Sequence, residues 1–421
     1  MIVNYSFDVT RIEYLFIPDS DDKIMDNGLE GNRTVFYNLP TDTKMDELHN
    51  DHLALTAIQI SLPFISKELI INWPISKKFE KIANTLLSKF KIICSDYCIE
   101  YIPNGLSKPV LAYSGGADST ATLAVMPQNT IPIFLLRAKS KANSLYNPAA
   151  ALKSCHELSN MGYEVIIVES NFEFLRSPIG FPTDLAVGSP AILLAGPLNL
   201  SSIAFGTILE STYGIGGKSF REYNDSSHFR LWNGLFNAAG LIYSLPVAGI
   251  SEIGTSKILL KTPYGDFSQS CIRGEWLKPC LRCWKCFRKS LLDSQLLKIS
   301  FNDSILPLSS EVMKRLTIDS PIKHENVLRY SLNGNNYDDM ILNNLDKFIN
   351  FEEEDYSYLG RWFSRSSSLI DENYKIYTSE RIKEILGMMS PVDEQKIFNW
   401  TNYHDEDRIK RLNIFISSIQ G

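Results

Sequence analysis

The chain has 421 residues, a length that favours two or three domains over one small core. Apolar residues make up 44% of it and charged residues 21%, proportions that are ordinary for a globular protein and exclude a highly charged disordered chain. The formal net charge of -6 gives no general attraction to nucleic acid, so we expect no nucleic-acid partner.

The sequence predicts neither secretion nor a membrane span. Its first residues, from Met1 to Asp8, lack a basic stretch followed by an apolar one. The uncharged stretch 185–209 contains prolines, glycines and serines, which suit a buried helix followed by a buried strand better than a transmembrane helix. We therefore expect a cytoplasmic protein without a membrane partner.

Residues 1–105 form the first of three regions that the sequence pattern separates. Short β-like runs, such as the one from Tyr14 to Ile17, accompany an apolar segment from Leu53 to Ile65. A helix is predicted from Ser76 to about Lys91. We interpret the region as an α+β extension without a catalytic motif.

Residues 106–295 alternate between strand and helix. Apolar runs predict strands at 109–113, 131–136, 164–168 and 201–205. Helices are predicted between and after them, at 118–126, 149–161 and 185–194. This alternation is typical of the α/β class, with a parallel sheet covered by helices on both faces.

Residues 296–421 have a different character from the middle region. They carry many charged and aromatic residues at helical spacing, for example from Met340 to Phe348 and from Glu380 to Met388. We therefore predict a helical C-terminal extension.

The strand at 109–113 is followed by the loop Ser114-Gly115-Gly116-Ala117-Asp118-Ser119 and then by a helix. The glycines let backbone amides approach an anion without an intervening Cβ, and the helix N-terminus adds positive potential. The two serine hydroxyls add donors, whereas Asp118 is suited to hold Mg²⁺ or to orient the loop. We predict that this loop binds the phosphates of ATP.

A second glycine-rich segment runs from Gly214 to Ser219 and includes Lys218. It resembles a Walker loop only in part, because that pattern needs a glycine where this chain has Thr212. We interpret the segment as an ordinary glycine-rich loop.

Four of the seven cysteines lie close together, at Cys271, Cys280, Cys283 and Cys286. Cysteines at this short spacing can surround one tetrahedral ion, and four sulfur ligands favour a structural Zn²⁺ site. An iron–sulfur cluster is the alternative, since three cysteines at x2 spacing also suit it. Basic residues around the cysteines, Arg288 among them, are suited to present positive charge to pyrophosphate or a carboxylate.

The loop at 114–119 resembles the Ser-Gly-Gly-x-Asp-Ser signature of the PP-loop ATP pyrophosphatases, which cleave ATP between its α and β phosphates. Together with the cysteine spacing, it closely resembles the 7-cyano-7-deazaguanine synthase (QueC) family. The resemblance implies a fold like that of the adenine nucleotide α hydrolases, with ATP, Mg²⁺ and Zn²⁺ bound. It also implies catalytic roles for Asp118, Ser119 and Arg288. It covers the middle region, less than half of the chain.

Members of that family adenylate the carboxylate of 7-carboxy-7-deazaguanine, convert it to an amide with an amine, and dehydrate the amide to a nitrile. The family's Pro-Gly-Arg-Asn segment is absent here, and its nearest counterpart runs from Pro178 to Asp184. The family's Gly-Tyr-Pro-Asp-Cys-Arg segment is replaced by the stretch from Gly214 to Arg221. These departures leave the base pocket and the amine acceptor open.

The two regions outside 106–295 resemble those of extended relatives from bacterial antiviral defence systems. In these relatives a QueC-like enzyme is thought to join a deazaguanine to the terminal amine of a partner protein. We therefore expect an ATP-dependent C–N ligase that forms AMP and pyrophosphate, with a deazaguanine substrate and a protein partner as amine acceptor.

Ligands of parallel sheets bind beyond the carboxyl ends of the strands, so Gly206 and the residues after it should line the pocket. Glu210 and Arg221 are candidate substrate-binding residues, and Lys218 or Lys139 is a further candidate to stabilise charge on the phosphates.

Three other functions stay open at the level of sequence: a nitrile-forming synthase of the queuosine pathway, a tRNA sulfurtransferase, and a non-catalytic nucleotide-binding scaffold. The acidic balance of the chain disfavours an RNA-binding enzyme. The intact Asp118 and the two loop serines disfavour the scaffold.

Overall fold

The computed structural model describes residues 1–22, 33–105, 107–138, 146–217, 219–306, 308–318, 322–333, 339–350, 354–401 and 406–420. Its strands are β1 (Ile2–Asp8), β2 (Arg11–Ile17), β3 (Thr34–Asn38), β4 (Glu68–Ile71), β5 (Ile75–Ser76), β6 (Lys91–Cys94), β7 (Tyr97–Cys98), β8 (Val110–Tyr113), β9 (Ile131–Arg137), β10 (Ile166–Ser170), β11 (Ser202–Phe205) and β12 (Ile242–Ser244).

The α-helices are α1 (Asn50–Ser61), α2 (Lys77–Leu86), α3 (Ala117–Val125), α4 (Pro148–Asn160), α5 (Ser189–Leu193), α6 (Leu209–Thr212), α7 (Ser227–Ala238), α8 (Glu252–Leu260), α9 (Trp284–Leu297), α10 (Ser310–Thr317), α11 (Glu325–Leu332), α12 (Met340–Ile349), α13 (Lys375–Leu386), α14 (Pro391–Phe398) and α15 (Glu406–Gln420). Short 3-10 helices lie at Met45–Glu47, Leu62–Phe64, Phe172–Leu175, Asp184–Gly188, Pro263–Phe267, Asp303–Ile305, Ser357–Gly360 and Ser364–Leu369.

One end of the large sheet is parallel. Strands β12, β11, β8, β9 and β10 lie side by side in that order, and each neighbouring pair is parallel. In this parallel part, the chain enters at β8, adds β9 and β10 on one side, and then crosses to β11 and β12 on the other. The order of strands therefore reverses between β8 and β11, and at such a point α/β proteins form a ligand-binding crevice at the carboxyl ends of the strands.

The other end of the sheet is built by the N-terminal region. Strand β3 pairs with β10 in the antiparallel sense, β2 and β1 follow in the same sense, and β4 and β6 are again parallel. The protein is therefore of mixed α/β class, with one ten-stranded sheet and a small two-stranded sheet of β5 and β7. The sequence predicts a parallel sheet for residues 106–295 and an extension before it, but it does not predict that the two share one sheet.

The N-terminal strands enclose α1, which is buried on nearly every side. Strand β2 alternates buried and less buried side chains, and the hydroxyl of Tyr14 on its buried face donates to the carbonyl oxygen of Leu53 at 3.1 Å. Helix α1 contacts α5 of the middle region on another side. This double packing explains why the segment from Leu53 to Ile65 is so apolar.

Two predicted helices end or break differently in the structure. The helix predicted from Ser76 to about Lys91 ends at Leu86, because the side-chain amide of Asn84 hydrogen-bonds both backbone groups of Ile92 and turns the chain into β6. The helix predicted at 185–194 is a 3-10 helix followed by the short α5, which begins at Ser189. Pro190 lies in the first turn of α5, where its missing amide would have no partner within the helix.

After residue 300 the described chain contains helices and no strand, as the sequence predicts. These helices pack directly on the middle region: α11 contacts α9, and α13 contacts both α3 and α8. Phe363 is buried, and its backbone amide donates to the carbonyl oxygen of Gly249 at 2.9 Å. Of the helices in the ranges given above, none has the length and apolar character that a membrane span requires.

Candidate nucleotide site and metal centre

The loop from Ser114 to Ser119 lies at the carboxyl end of β8, where α3 begins. Gly115 has a φ of 73°, a backbone conformation that glycine adopts without steric cost. The hydroxyl oxygens of Ser114 and Ser119 are 2.9 Å apart, and the backbone amide of Ser114 donates to Ser119 Oγ at 3.2 Å. The residue before α3 is Gly116, which has no side chain to cap the first amides of the helix. These amides are therefore available to an anion.

The residue after β11 closes against the same loop. A Cβ placed on Gly206 would lie 2.9 Å from both the backbone nitrogen and the Cα of Ser119. Any side chain there would displace the start of α3. The structure thus brings Gly206 and the loop together at the crevice between β8 and β11, as the sequence predicts for neighbouring parallel strands.

Asp118 is half-buried in the first turn of α3. Its Oδ1 accepts a hydrogen bond of 3.1 Å from the hydroxyl of Thr255 on α8. Burial raises the pKa of the Asp118 carboxyl, and nearby Lys285 opposes that rise. A carboxylate in this environment gains from a neighbouring cation, which is the property expected of a residue that holds Mg²⁺.

Arg288 belongs to a buried ion network next to the loop. Its Nη2 donates to Oε2 of Glu252 at 2.7 Å, and His324 Nδ1 lies 3.0 Å from the same oxygen. Burial alone would raise the pKa of Glu252, but Arg288 and His324 together bring it well below its ordinary value. Arg288 is therefore paired with a carboxylate at the site, and its role towards phosphate stays a prediction.

A cavity of about 400 Å³ lies between the start of α3, the four cysteines and the segment that leads into α11. Its lining contains five Arg or Lys side chains but only three carboxylates. These charged residues, with one histidine, are Asp118, Glu252, Arg273, Lys285, Arg288, Glu311, Arg315, Lys323 and His324. Two of the carboxylates are already paired, Glu252 with Arg288 and Glu311 with Arg273. The cavity is consequently electropositive.

Glu210 lies in the first turn of α6, behind the ion network. Its Oε1 accepts hydrogen bonds from the backbone amide of Glu252 at 3.0 Å and from the side-chain amide of Asn326 at 2.7 Å. Its Oε2 is buried and has no partner among the described residues. Burial raises the pKa of Glu210 to about 8, so the group is largely a neutral acid at pH 7.

Arg221, a second substrate candidate, does not join Glu210. Arg221 is exposed, and its guanidinium donates to the carbonyl oxygens of Thr212, at 2.7 Å, and Ser211 at the end of α6. This arrangement is a helix C-cap, a structural use of the side chain. Lys218 and Lys139 lie outside the described residues.

The glycine-rich segment that begins at Gly214 packs against the C-terminal region. A Cβ at Gly216 would lie 2.0 Å from Oδ1 of Asn326, and Gly216 has a φ of 76°. The short Cβ distance and the positive φ both require glycine at this position. This structural requirement agrees with our interpretation of the segment as an ordinary loop.

The four predicted cysteine ligands come together in the structure. Their sulfur atoms all lie within 4.8 Å of one another. Four sulfurs at about 2.3 Å from one tetrahedral ion are about 3.8 Å apart, and the Cys280–Cys286 separation is 3.8 Å. The cysteines therefore form a site that can hold a single metal ion, such as zinc, whereas an iron–sulfur cluster places its ligands on separate irons and needs a wider arrangement.

Helix α9 begins at this metal site. Cys283 precedes its first turn, and its sulfur accepts a hydrogen bond of 3.4 Å from the backbone amide of Cys286. Hydrogen bonding between the two thiols lowers the pKa of Cys283 and raises the pKa of Cys286, so the two sulfur atoms share one proton. Lys285 and Arg288 lie in the first two turns of α9, so a metal bound at the cysteines would fix the position of two cavity cations.

Sequence reasoning does not identify Glu252, His324, Lys323 or Asn326 as site residues. Ser251 caps α8 and Glu252 follows it, a combination that reads as an ordinary helix start. The other three residues lie in the region predicted as an extension. No local spacing connects them with the loop, because only tertiary packing does so.

Residues 231–401 match the model of a family of unknown function, DUF6395. The matched segment includes Glu252, the four cysteines and His324, and it begins after the loop at 114–119. No curated protein and no solved structure matches the chain.

Proposed function

We propose that this chain is a PP-loop-type enzyme that cleaves ATP to AMP and pyrophosphate while it activates a carboxylate. The observation that carries the proposal is the position of the loop from Ser114 to Ser119. Its uncapped helix start lies at the reversal of strand order between β8 and β11, and Gly206 packs on it with no room for a side chain. Backbone amides at such a point are suited to phosphate groups.

The charge around the loop supports a polyphosphate ligand. The Nζ of Lys285 lies 4.0 Å from the position that a Cβ of Gly116 would take, so this ammonium group is beside the loop. Arg288 and Lys323 line the same cavity. Asp118 is the residue that would hold Mg²⁺, which would offset phosphate charge when it is bound.

In the proposed reaction, a carboxylate oxygen of the substrate attacks the α-phosphorus of ATP. The bond from the α-phosphorus to the bridging oxygen breaks, and pyrophosphate leaves with the electron pair. An amine then attacks the carbonyl carbon of the acyl-adenylate, AMP leaves, and the amine nitrogen loses a proton. Loop amides and cavity cations stabilise the charge that develops on pyrophosphate.

For the metal we propose Zn²⁺ at Cys271, Cys280, Cys283 and Cys286. Four protein ligands leave no open position, so its role is structural: it fixes the start of α9 and thereby the cations beside the loop. Thiolate ligands persist in a reducing compartment, in agreement with a cytoplasmic location.

The substrate that we propose is 7-carboxy-7-deazaguanine, because the loop and the cysteine spacing resemble the same enzyme family. The amine that we propose belongs to a partner protein. The C-terminal region packs over the site through His324 and Asn326, whereas the compact synthases of the resembled family lack such a region. A site that is covered by this additional region suits an amine acceptor other than ammonia.

The reaction is tested by incubating the protein with MgATP and 7-carboxy-7-deazaguanine and separating the nucleotides by chromatography. We expect AMP and pyrophosphate in equal amounts, dependent on the carboxylate. Asp118→Asn and Gly206→Ala should abolish product formation, whereas the exposed Asp266→Asn should retain it. Formation of ADP, or turnover without the carboxylate, would contradict the proposal.

The acceptor is tested by intact-mass measurement of candidate partner proteins after incubation with the enzyme, ATP and the acid. A mass increase equal to the acyl group supports protein conjugation. A free amide or nitrile formed with ammonia, and an unchanged partner mass, would favour the queuosine-pathway synthase instead.

A further inference from the structure

We infer that the C-terminal helical region completes the phosphate-binding site, with Lys323 as a ligand of the pyrophosphate moiety of ATP. The inference rests on the proposed function and extends it to a residue outside the α/β region. It also means that the C-terminal region is part of the nucleotide site itself.

The segment that carries Lys323 is held in place on one side of this residue. Next to it, His324 contacts Glu252 of α8 at 3.0 Å. Two residues further, Asn326 donates to Glu210 at 2.7 Å and packs against Gly216. Lys323 itself is exposed and lines the cavity beside Asp118. The anchored residues therefore position the ammonium group over the cavity and leave it accessible.

Two of the cavity cations, Lys285 and Lys323, are not paired with a carboxylate of any described residue, in contrast to Arg273 and Arg288. In the part of the chain that the structure describes, the ammonium groups of Lys285 and Lys323 have neither a hydrogen bond nor an ion pair. Lys323 is exposed at its surface but partly desolvated on the cavity side, which lowers its pKa; repulsion by Arg288 and Arg315 lowers the pKa further, and Glu252 opposes this change. Like charges that converge on one cavity are unfavourable until an anion neutralises them.

The position of the cavity indicates which anion it binds. It is continuous with the first turn of α3, through Ala117 and Asp118, so an anion between the two lysines would also face the free amides of that helix. A volume of about 400 Å³ exceeds what a single carboxylate occupies. A pyrophosphate group bound to the loop can extend towards Lys323 and contact both regions of the protein.

The test measures binding to the full chain by calorimetry, with α,β-methylene-ATP, inorganic pyrophosphate and AMP as separate ligands in the presence of Mg²⁺. For Lys323→Ala we expect affinity for the first two ligands to fall by about tenfold or more, the range of a charge-assisted contact. Affinity for AMP should change less than about twofold, since AMP lacks the groups that Lys323 contacts. Lys323→Arg should retain most of the affinity because it keeps the charge.

The matched control is Lys314→Ala, which removes an exposed lysine of α10 that does not line the cavity. It should bind all three ligands like the wild type. Equal pyrophosphate affinity for Lys323→Ala and the wild type would overturn this inference and leave the proposed function standing. An equal loss for AMP would also overturn it, because the substitution would then act on the whole site. Failure of the wild type to bind any of the three ligands would overturn the proposed function.

Discussion

Two glutamates near the loop show how local environment separates residues of one chemical type. Glu252 accepts from Arg288 and lies by His324, so it stays ionised although it is buried. Glu210 is beside Glu252 and receives only neutral donors, so it takes up a proton. Carboxyl groups whose pKa values diverge in this way are characteristic of functional sites. Here they lie at the contact between the middle and C-terminal regions.

Substitution of Glu210 by Gln should change how stability depends on pH. The pKa of Glu210 is raised from 4.5 to about 8 in the folded protein. Its contribution to stability is therefore present below pH 4.5 and is lost as the pH rises towards 8. Gln cannot ionise, so Glu210→Gln should gain stability relative to the wild type across this interval. The scale is set by about 1.4 kcal/mol per pKa unit.

The measurement is the urea midpoint of both proteins at about pH 5 and about pH 8.5. The exposed Glu222→Gln is the control and should follow the wild type at both values. A difference between Glu210→Gln and the wild type that is independent of pH would show that Glu210 is ionised in the folded state throughout.

At the scale of elements, helix α9 connects the metal site with the cavity. Its N-cap, Cys283, and its first turn carry two of the four sulfur ligands, and Lys285 and Arg288 occupy the same turns. The same helix packs on α11, which follows the segment with Lys323. A metal ion bound at its start would therefore position cations from two regions of the chain.

We expect the purified protein to contain one zinc ion per chain and no visible absorption band of an iron–sulfur cluster. Cys283→Ser should lose most of the metal and at least about 2 kcal/mol of unfolding free energy, because the start of α9 loses its anchor. Metal content is measured by elemental analysis and stability by urea denaturation. Cys94→Ser, which alters a cysteine remote from the metal site, should retain the zinc. Stoichiometric iron with acid-labile sulfide would contradict the assignment.

At the scale of the whole molecule, the three regions share cores. Strand β3 completes the sheet beside β10, so removal of the N-terminal region would expose an unpaired edge. From the C-terminal region, Phe363 packs edge-on against Tyr213, with ring centroids 5.1 Å apart, and Trp362 belongs to the core around Ile258. The N-terminal and C-terminal regions are thus structural parts of the same folded protein as the loop.

A chain shortened to residues 1–300 should fail to fold cooperatively. It exposes several large apolar side chains, each worth about 1.5–3 kcal/mol when buried, and their sum exceeds the usual net stability of about 5–15 kcal/mol. Size-exclusion chromatography and urea denaturation should show aggregation or a broad transition. Deletion of α15 alone, which packs on α12, should be tolerated better. A monomeric, cooperatively folding 1–300 fragment would show that the regions are independent.

Features whose residues lie close together along the chain can be predicted from the sequence. The strand–loop–helix around Ser114 to Ser119 and the four cysteines are recognisable because a tight turn and a tetrahedral ligand set each need particular residues at short spacing. The buried strands β8, β9 and β11 are recognisable as apolar runs for the same reason. Their positions in the structure differ from the predicted ones by at most the terminal residues.

The residues that surround the loop from distant parts of the chain are brought there by the packing of helices. Glu252, His324, Lys323 and Asn326 meet there because α11 packs on α9 and α8 packs on α3. Such packing depends on the shapes of whole helix faces, which leave no short-range signal in the sequence. The same holds for the pairing of β3 with β10, since an edge strand can add to a sheet without any local pattern that names its partner. The loop is thus formed by residues that are adjacent in the sequence, whereas the charged residues around it come together through long-range packing.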